Sequence, residues 1–342
     1  MKGGSVVERI FEWLGEPVYY TDLGAMYLGD SKELLKKLPR ESVDLVITSP
    51  PFPLQREKPY GRFCFEDEFV EWFMPFAEQV RRVLKRTGSF VIDLGGTYVK
   101  GRPIRSLYQY RLLIRLCDDL GFALPEEFFW FNPSKLPSPI EWVNKRKIRV
   151  KDAVNVIWWL AKDDYPKVRL ENVLIEYSDR MKLLLKLGER FYKPKDRPSG
   201  HKISEKFMKL GEKKGAIPPN LLVIPNTDSN SKYVRYCRAV NTQPHPTRFP
   251  IELPEFFIKF LTDPKDLVVD IFAGSNAVGE AAQALGRCWI SIETNLEYVA
   301  NSAFRFLDGN ESAESLTRIY NCIMQGETGI HIKRKCKGIL SY

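Results

Sequence analysis

Leu267-Val268-Val269-Asp270-Ile271-Phe272-Ala273-Gly274-Ser275-Asn276 is the stretch that decides how this chain folds. Its apolar opening reads as a strand from Leu267 to Phe272, and Ala277 to Leu285 has helical spacing. The small residues between them stand where the chain must turn sharply, and small residues let backbone N–H groups approach a ligand. An acid about twenty positions on, at the end of the next strand, suits the diol of a ribose. Glu293, closing Trp289-Ile290-Ser291-Ile292, holds that place. The pattern is that of a loop wrapping an adenosyl cofactor at the carboxyl end of a strand, although a purely structural strand-to-helix turn has the same outline.

A second motif lies more than two hundred residues earlier, where Asp44-Leu45-Val46-Ile47 runs into Thr48-Ser49-Pro50-Pro51-Phe52. Consecutive prolines hold the backbone extended and so fix the Ser49 hydroxyl and the Pro50 carbonyl as a rigid pair of acceptors. The exocyclic amine of cytosine is a poor nucleophile because its lone pair is delocalised into the ring. Two acceptors on its hydrogens favour a pyramidal nitrogen that can attack a methyl group, and Phe52 offers a face on which an extruded base can stack. Alone, Ser-Pro-Pro is a common turn; paired with the later loop it specifies a methyl-transfer site.

Strand and helix signals alternate around both motifs. Val43 to Thr48, Phe90 to Leu94, Phe122 to Phe131 and Ala153 to Ala161 read as strands, the last two as a plausible hairpin. Glu68 to Leu84, Tyr110 to Leu120 and Ile251 to Leu261 read as helices, so the class is α/β with a parallel sheet. Between Lys162 and Thr247 the pattern dissolves into Pro, Gly, Lys and Ser, which predicts a loop-rich insert. The chain therefore divides into a first catalytic part (1–162, with clamp and base pocket), a target-recognition insert (163–244), a second catalytic part with the cofactor loop (245–310), and a C-terminal helix with a basic tail (311–342).

Composition narrows the class. With 342 residues, 44% of them hydrophobic, the chain can bury a full core. No run is long and apolar enough for a signal peptide or a bilayer span, and six cysteines without C-x-x-C spacing, with three histidines, indicate neither a disulfide framework nor a zinc site. A reducing cytoplasm, no metal and no membrane are expected. Of the net charge of +9, residues 131–248 hold 25 Lys/Arg against 12 Asp/Glu, an excess of 13 that leaves −4 for the remainder. Charge segregated in this way predicts a polyanion docking surface.

The chain resembles the amino-methyltransferases of DNA, in their PvuII-type, cytosine-N4-specific branch. The resemblance covers nearly the whole length. It rests on Leu28-Gly29-Asp30, Thr48 to Phe52, Val91-Ile92-Asp93-Leu94-Gly95-Gly96, Phe129-Trp130-Phe131-Asn132-Pro133, Arg197-Pro198-Ser199-Gly200-His201, Arg248-Phe249-Pro250 and Asp270 to Asn276. The clamp precedes the cofactor loop with the insert between them, the circularly permuted β-group order. The resemblance implies a Rossmann-like, S-adenosylmethionine-dependent fold with a mixed seven-stranded sheet, and double-stranded DNA with a flipped cytosine as substrate. It gives Ser49 and Pro50 the amine, Phe52 the base stack and Asp93 a candidate role as proton acceptor, although an acid beside two glycines can equally organise the turn. On the cofactor side it implies Asp30 at the adenine, Glu293 at the ribose, Phe249 in the covering segment, and Thr48, Asp270, Phe272, Ala273, Gly274, Ser275 and Asn276 around the loop. Asn276 departs from a second glycine common in such enzymes, but Asn also tolerates a left-handed turn.

Lys145, Arg146 and Arg149 are expected to meet phosphates, and Arg197 and His201 to approach base edges. The resemblance points to a CAGCTG-like palindrome and to a restriction endonuclease as a genetic rather than a bound partner. Other readings stay open at this point. Adenine-N6 enzymes usually carry Asp or Asn where Ser49 stands; a binding protein that has lost catalysis would keep the fold; RNA or protein glutamine as substrate usually goes with Asn or Asp at the clamp. Glu171-Asn172-Val173 matches a tripeptide of cytosine-C5 enzymes, yet none of the six cysteines follows a proline as their nucleophile must.

Overall fold

The computed structural model describes residues 6–51, 66–187 and 215–333. Among the described residues ten strands form one mixed sheet: β1 Tyr19–Tyr20, β2 Gly24–Leu28, β3 Val43–Thr48, β4 Leu84–Leu94, β5 Ala123–Phe131, β6 Val154–Ala161, β7 Leu221–Val223, β8 Leu267–Asp270, β9 Cys288–Glu293 and β10 Ile330–His331. Their order is β10-β1-β2-β9-β8-β3-β4-β6-β5-β7. The expected seven strands are the central run from β2 to β5. The three additions are edge pieces of two or three residues, too short to leave a periodic signal in sequence.

From β2 to β4 the strands are parallel; β6 runs antiparallel to both β4 and β5, as the hairpin reading expects. β3 and β8 are direct neighbours, Leu45 opposite Val268 and Val46 opposite Val269. Both faces are covered, which is why these strands read as continuous apolar runs. Val46, Phe90, Ile92, Val269 and Ile290 join a core with Ile10, Phe69, Phe73 and Leu112 from helices Val6–Leu14, Glu66–Val83 and Tyr108–Asp118. Alternate residues point the other way: Ile47 and Val91 share a small void with Leu253 and Phe257 of helix Glu252–Leu261.

The chain separates into two compact units, Arg169–Pro219 and the rest. The smaller holds a short turn of helix at Leu170–Val173 and the helix Asp179–Leu187, with an isolated bridge between Ile175 and Ala216. Residues 220–244, expected within the insert, belong instead with the larger unit. There β7 pairs with Phe129–Phe131, and helix Lys232–Ala239 buries Tyr233, Val234 and Cys237 while Lys232 donates to the carbonyls of Arg305 and Leu307. Helix Ala313–Met324 fills the expected C-terminal place. Most of the basic tail, from residue 334, lies outside the described residues.

Candidate active site at the carboxyl ends of the strands

The two motifs meet because β3 and β8 lie side by side. Thr48 Oγ1 donates to Asp270 Oδ1 at 2.7 Å across 222 residues of chain, and the Phe272 N–H donates to the same oxygen at 3.1 Å. Burial pushes the Asp270 carboxyl up to about 7 against these hydrogen bonds, with Glu293 adding to the rise. Thr48 is fully buried; it braces the loop rather than facing the cavity.

Beyond the brace the chain turns left-handed at Gly274 and Asn276. A Cβ on Gly274 would stand 3.0 Å from His245 Nε2. Asn276 has φ 59° and ψ 41° and caps helix Ala277–Ala284, so the expected left-handed turn forms. Its amide is spent inward: Oδ1 accepts from Gly279 N and from Ser291 Oγ, and Nδ2 donates to Tyr19 Oη at 3.0 Å. Arg305, 4% exposed, grips the loop from behind by donating to the Ser275 carbonyl and hydroxyl and pairing with Glu280 at 2.6 Å.

A cavity of about 1200 Å³ opens over these strand ends. Asp30, Ser49, Pro50, Asp93, Phe249, Asp270, Phe272, Ala273, Gly274, Ser275 and Glu293 all line it, whereas Thr48 and Asn276 are not among its lining residues. Asp30 follows β2, whose Leu28 pairs with Glu293, and it caps helix Ser31–Lys37 through the Lys32 N–H at 2.8 Å. Glu293 Oε2 accepts from Gly274 N at 2.8 Å, and Oε1 from the N–H groups of Thr294 and Asn295. The carboxylate is thus aimed by backbone, with lone pairs to spare for a further donor. Trp72 and Phe76 of helix Glu66–Val83 form an aromatic wall with Phe272, at 5.5 and 5.0 Å between ring centroids.

On the clamp side, Ser49 Oγ donates to Asp93 Oδ2 at 3.3 Å, and Asn155 Nδ2 donates to Oδ1 at 3.2 Å. Burial pushes the Asp93 carboxyl up to about 6; the hydrogen bonds from Asn155 and Ser49 and the charge of Lys135 oppose the rise. Asn155 reaches this rim because β6 is antiparallel, so its beginning lies beside the end of β4. Phe52, the expected stacking ring, and Arg197 and His201, the expected base readers, lie outside the described residues. Of the expected phosphate contacts, Lys145 lines the cavity with its ammonium 3.2 Å from Glu141, and Arg146 pairs with the same carboxylate at 3.0 Å. Arg149 donates to the Pro103 carbonyl and lies 4.4 Å from the Tyr98 ring centroid. The two pairs with Glu141 are exposed and contribute little to stability.

Residues 43–304 match the family described as DNA methylase, the N6/N4 methyltransferases. The chain belongs to the DNA methylase family. The methylase is 57% identical over 313 residues to the type II methyltransferase M.PvuII of Proteus hauseri, covering 92% of each chain. It is 26% identical to M.BglII of Bacillus subtilis over 84% of this chain and 69% of that one. Among solved structures it is similar to the PvuII DNA methyltransferase (cytosine-N4-specific), with TM-score 0.74, 51% identity, and 91% and 96% coverage. A fold-level likeness, TM-score 0.50 at 18% identity over 90% and 97%, extends to TTHA0409 of Thermus thermophilus, solved with S-adenosyl-L-methionine.

Several residues of the methylase's site escape the sequence reading. His245 stands four residues before Phe249, and its place against Gly274 could have been suspected from that nearness alone. Lys135, Asn155, Trp72 and Arg305 reach the site through the tertiary fold, and no local spacing marks them. Among the described residues no group of His, Cys, Asp and Glu could hold a metal ion, and no helix is long and apolar enough to cross a membrane.

Proposed function

We propose that the methylase transfers a methyl group from S-adenosylmethionine to N4 of a cytosine flipped out of duplex DNA. Its target in this reading is a short, CAGCTG-like palindrome, its setting the prokaryotic nucleoid, and its genetic partner a restriction endonuclease. The observation that carries the reading is the Ser49–Asp93 hydrogen bond, with Pro50 beside it, in the same cavity as the Gly274–Glu293 loop. The similarity to the cytosine-N4-specific PvuII enzyme supports the choice of base. The smaller unit, Arg169–Pro219, is the candidate for target recognition.

The residues present fit the donor. The small-residue loop leaves room where a side chain on Gly274 would meet His245, the backbone-held Glu293 carboxylate suits a diol, and the Trp72–Phe76–Phe272 wall suits an apolar or aromatic surface. Bound there, S-adenosylmethionine supplies a methyl group made electrophilic by its sulfonium. Ser49 and Pro50 orient the amine. With its own hydrogen on Asp93, the Ser49 oxygen keeps its lone pairs for an amine N–H, and the proton released as nitrogen gains the methyl passes to Ser49 Oγ while the Ser49 proton passes to Asp93.

Incubation with unmethylated plasmid and labelled S-adenosylmethionine, followed by nucleoside mass spectrometry and site mapping, tests the reading. N4-methylcytosine is expected; N6-methyladenine alone would overturn the base assignment, and no methylated base despite cofactor binding would overturn the activity. Ser49→Ala is expected to lower turnover on the order of a hundredfold or more while cofactor affinity, measured by calorimetry, stays near that of the wild type. Glu293→Ala is expected to do the reverse, weakening the cofactor by about 1–3 kcal/mol for a lost charge-assisted hydrogen bond; equal affinity would remove the ribose assignment.

A further inference from the structure

The Asn155 amide lies between an ammonium and a carboxylate. Its carbonyl oxygen accepts from Lys135 Nζ at 3.4 Å, and its NH₂ group donates to Asp93 Oδ1 at 3.2 Å. An ammonium can only donate, and an ionised carboxylate can only accept. Each neighbour therefore enforces the same orientation of the amide, and the flipped rotamer would set like against like at both ends. With Oδ1 occupied, Oδ2 is the oxygen that receives the Ser49 hydroxyl at 3.3 Å.

We propose that Lys135 and Asn155 are positioning residues that aim the Asp93 carboxylate at Ser49 and keep it ready to receive a proton. The inference rests on the role given to Asp93 above. Ser49, beyond the end of β3, offers a neutral hydroxyl, and Asn155, at the start of β6, a neutral amide. Lys135, from the segment between β5 and β6, brings a positive charge that bears on Asp93. Asp30, Glu141, Lys145, Asp152, His245, Arg248, Asp270 and Glu293 are further titratable residues lining the same cavity. A cation one amide away favours the charged carboxylate, and burial opposes it. Lys135 thus extends the pH range in which Asp93 is ionised, and Asn155 transmits its direction.

Both residues are partly exposed and each can be replaced without opening the core. The test compares wild type, Lys135→Met, Lys135→Arg and Asn155→Ala in single-turnover methylation of plasmid DNA between pH 5 and 9, with calorimetric cofactor affinity alongside. In the wild type the rate is expected to rise through an apparent pKa near 6. Lys135→Met should move that limb upward by about one pH unit, so that the rate falls about ninefold at pH 5, about fivefold at pH 6 and hardly at all at pH 8.5, with cofactor affinity unchanged. Lys135→Arg should restore the wild-type limb, because a cation and a donor are retained. Asn155→Ala should lower the rate across the whole range, since the carboxylate loses its aim, and should also move the limb upward, since the lost hydrogen bond favoured the ionised carboxylate.

An unshifted limb in Lys135→Met, with only weaker DNA binding and a shallower salt dependence, would make Lys135 a phosphate contact and overturn the positioning role while leaving Asp93 its own. A wild-type rate that is flat between pH 5 and 7 would overturn the role of Asp93 and, with it, this one.

Discussion

Asp93→Asn is expected to reduce turnover by about three orders of magnitude, within the range for removing a general base, and at the same time to make the protein more stable at neutral pH. The two effects share a cause. The carboxyl is 5% exposed and pushed up to about 6, mainly by burial. A group that holds its proton more tightly in the folded than in the unfolded chain favours the fold while both states are protonated. That contribution is lost as pH rises from the unfolded value near 4 to about 6. Above pH 6 the charge sits in a poorly solvated place at a cost of about 3 kcal/mol. An isosteric amide carries no charge, can still accept from Asn155, and removes the cost. Urea unfolding should therefore show little difference between variant and wild type near pH 4, a growing advantage for the variant up to pH 6, and a constant one above it. The opposite slope would mean that Asp93 is stabilised as an anion and contradict its preparation as a proton acceptor. Activity follows the complementary curve, because only the ionised carboxylate can take up a proton.

Arg305→Ala carries the other large expectation, a loss of about 3–5 kcal/mol, as for the removal of one partner from a buried ion pair. The guanidinium donates to the Ser275 carbonyl and hydroxyl and to Glu280, and lies 4.6 Å from the Tyr233 ring centroid. Its removal strands the Glu280 carboxylate, whose next cation, Lys232, is 3.9 Å away. It also frees the loop on the side opposite the cavity, so cofactor affinity is expected to fall about tenfold even in the molecules that remain folded. Arg305→Lys keeps the charge but lacks the fork that reaches both residues at once, and an intermediate loss is expected. Unchanged unfolding free energy in Arg305→Ala would show that the loop is held from the sheet side alone.

The fold was legible where periodicity is strong. Val43–Thr48 has the boundaries read from sequence, and Cys288–Glu293 ends at the glutamate read as closing it, because both strands are buried on two faces. β2 was not read as a strand: Gly24-Ala25-Met26-Tyr27-Leu28 has low β-propensity, and its first residue is a glycine because a Cβ there would stand 2.3 Å from the Trp289 carbonyl oxygen. That constraint comes from a strand 265 residues away and leaves no local trace. Residues 220–244 read as part of the insert for a related reason, although they pack with the larger unit. β7 is three residues long, and only pairing with β5 makes it a strand. At the site, the residues found from sequence are those in short motifs, Ser49, Asp93, Gly274 and Glu293. Those that aim them, Asn155, Lys135 and Arg305, are isolated polar residues in segments whose local pattern announces something else.

The smaller unit departs from the larger after Val168 and returns at Asn220, and the sheet closes without it. Closing a longer or shorter excursion between two fixed points changes the entropy only slowly, by roughly 0.6 kcal/mol for each doubling of length. A lineage can therefore exchange, lengthen or prune that segment with little penalty to the fold, while the Thr48–Asp270 brace and the pairing of β3 with β8 keep the two motifs at the ends of neighbouring strands. If the segment reads the target, new sequence preferences can arise by replacement of one module, and the chemistry is inherited unchanged.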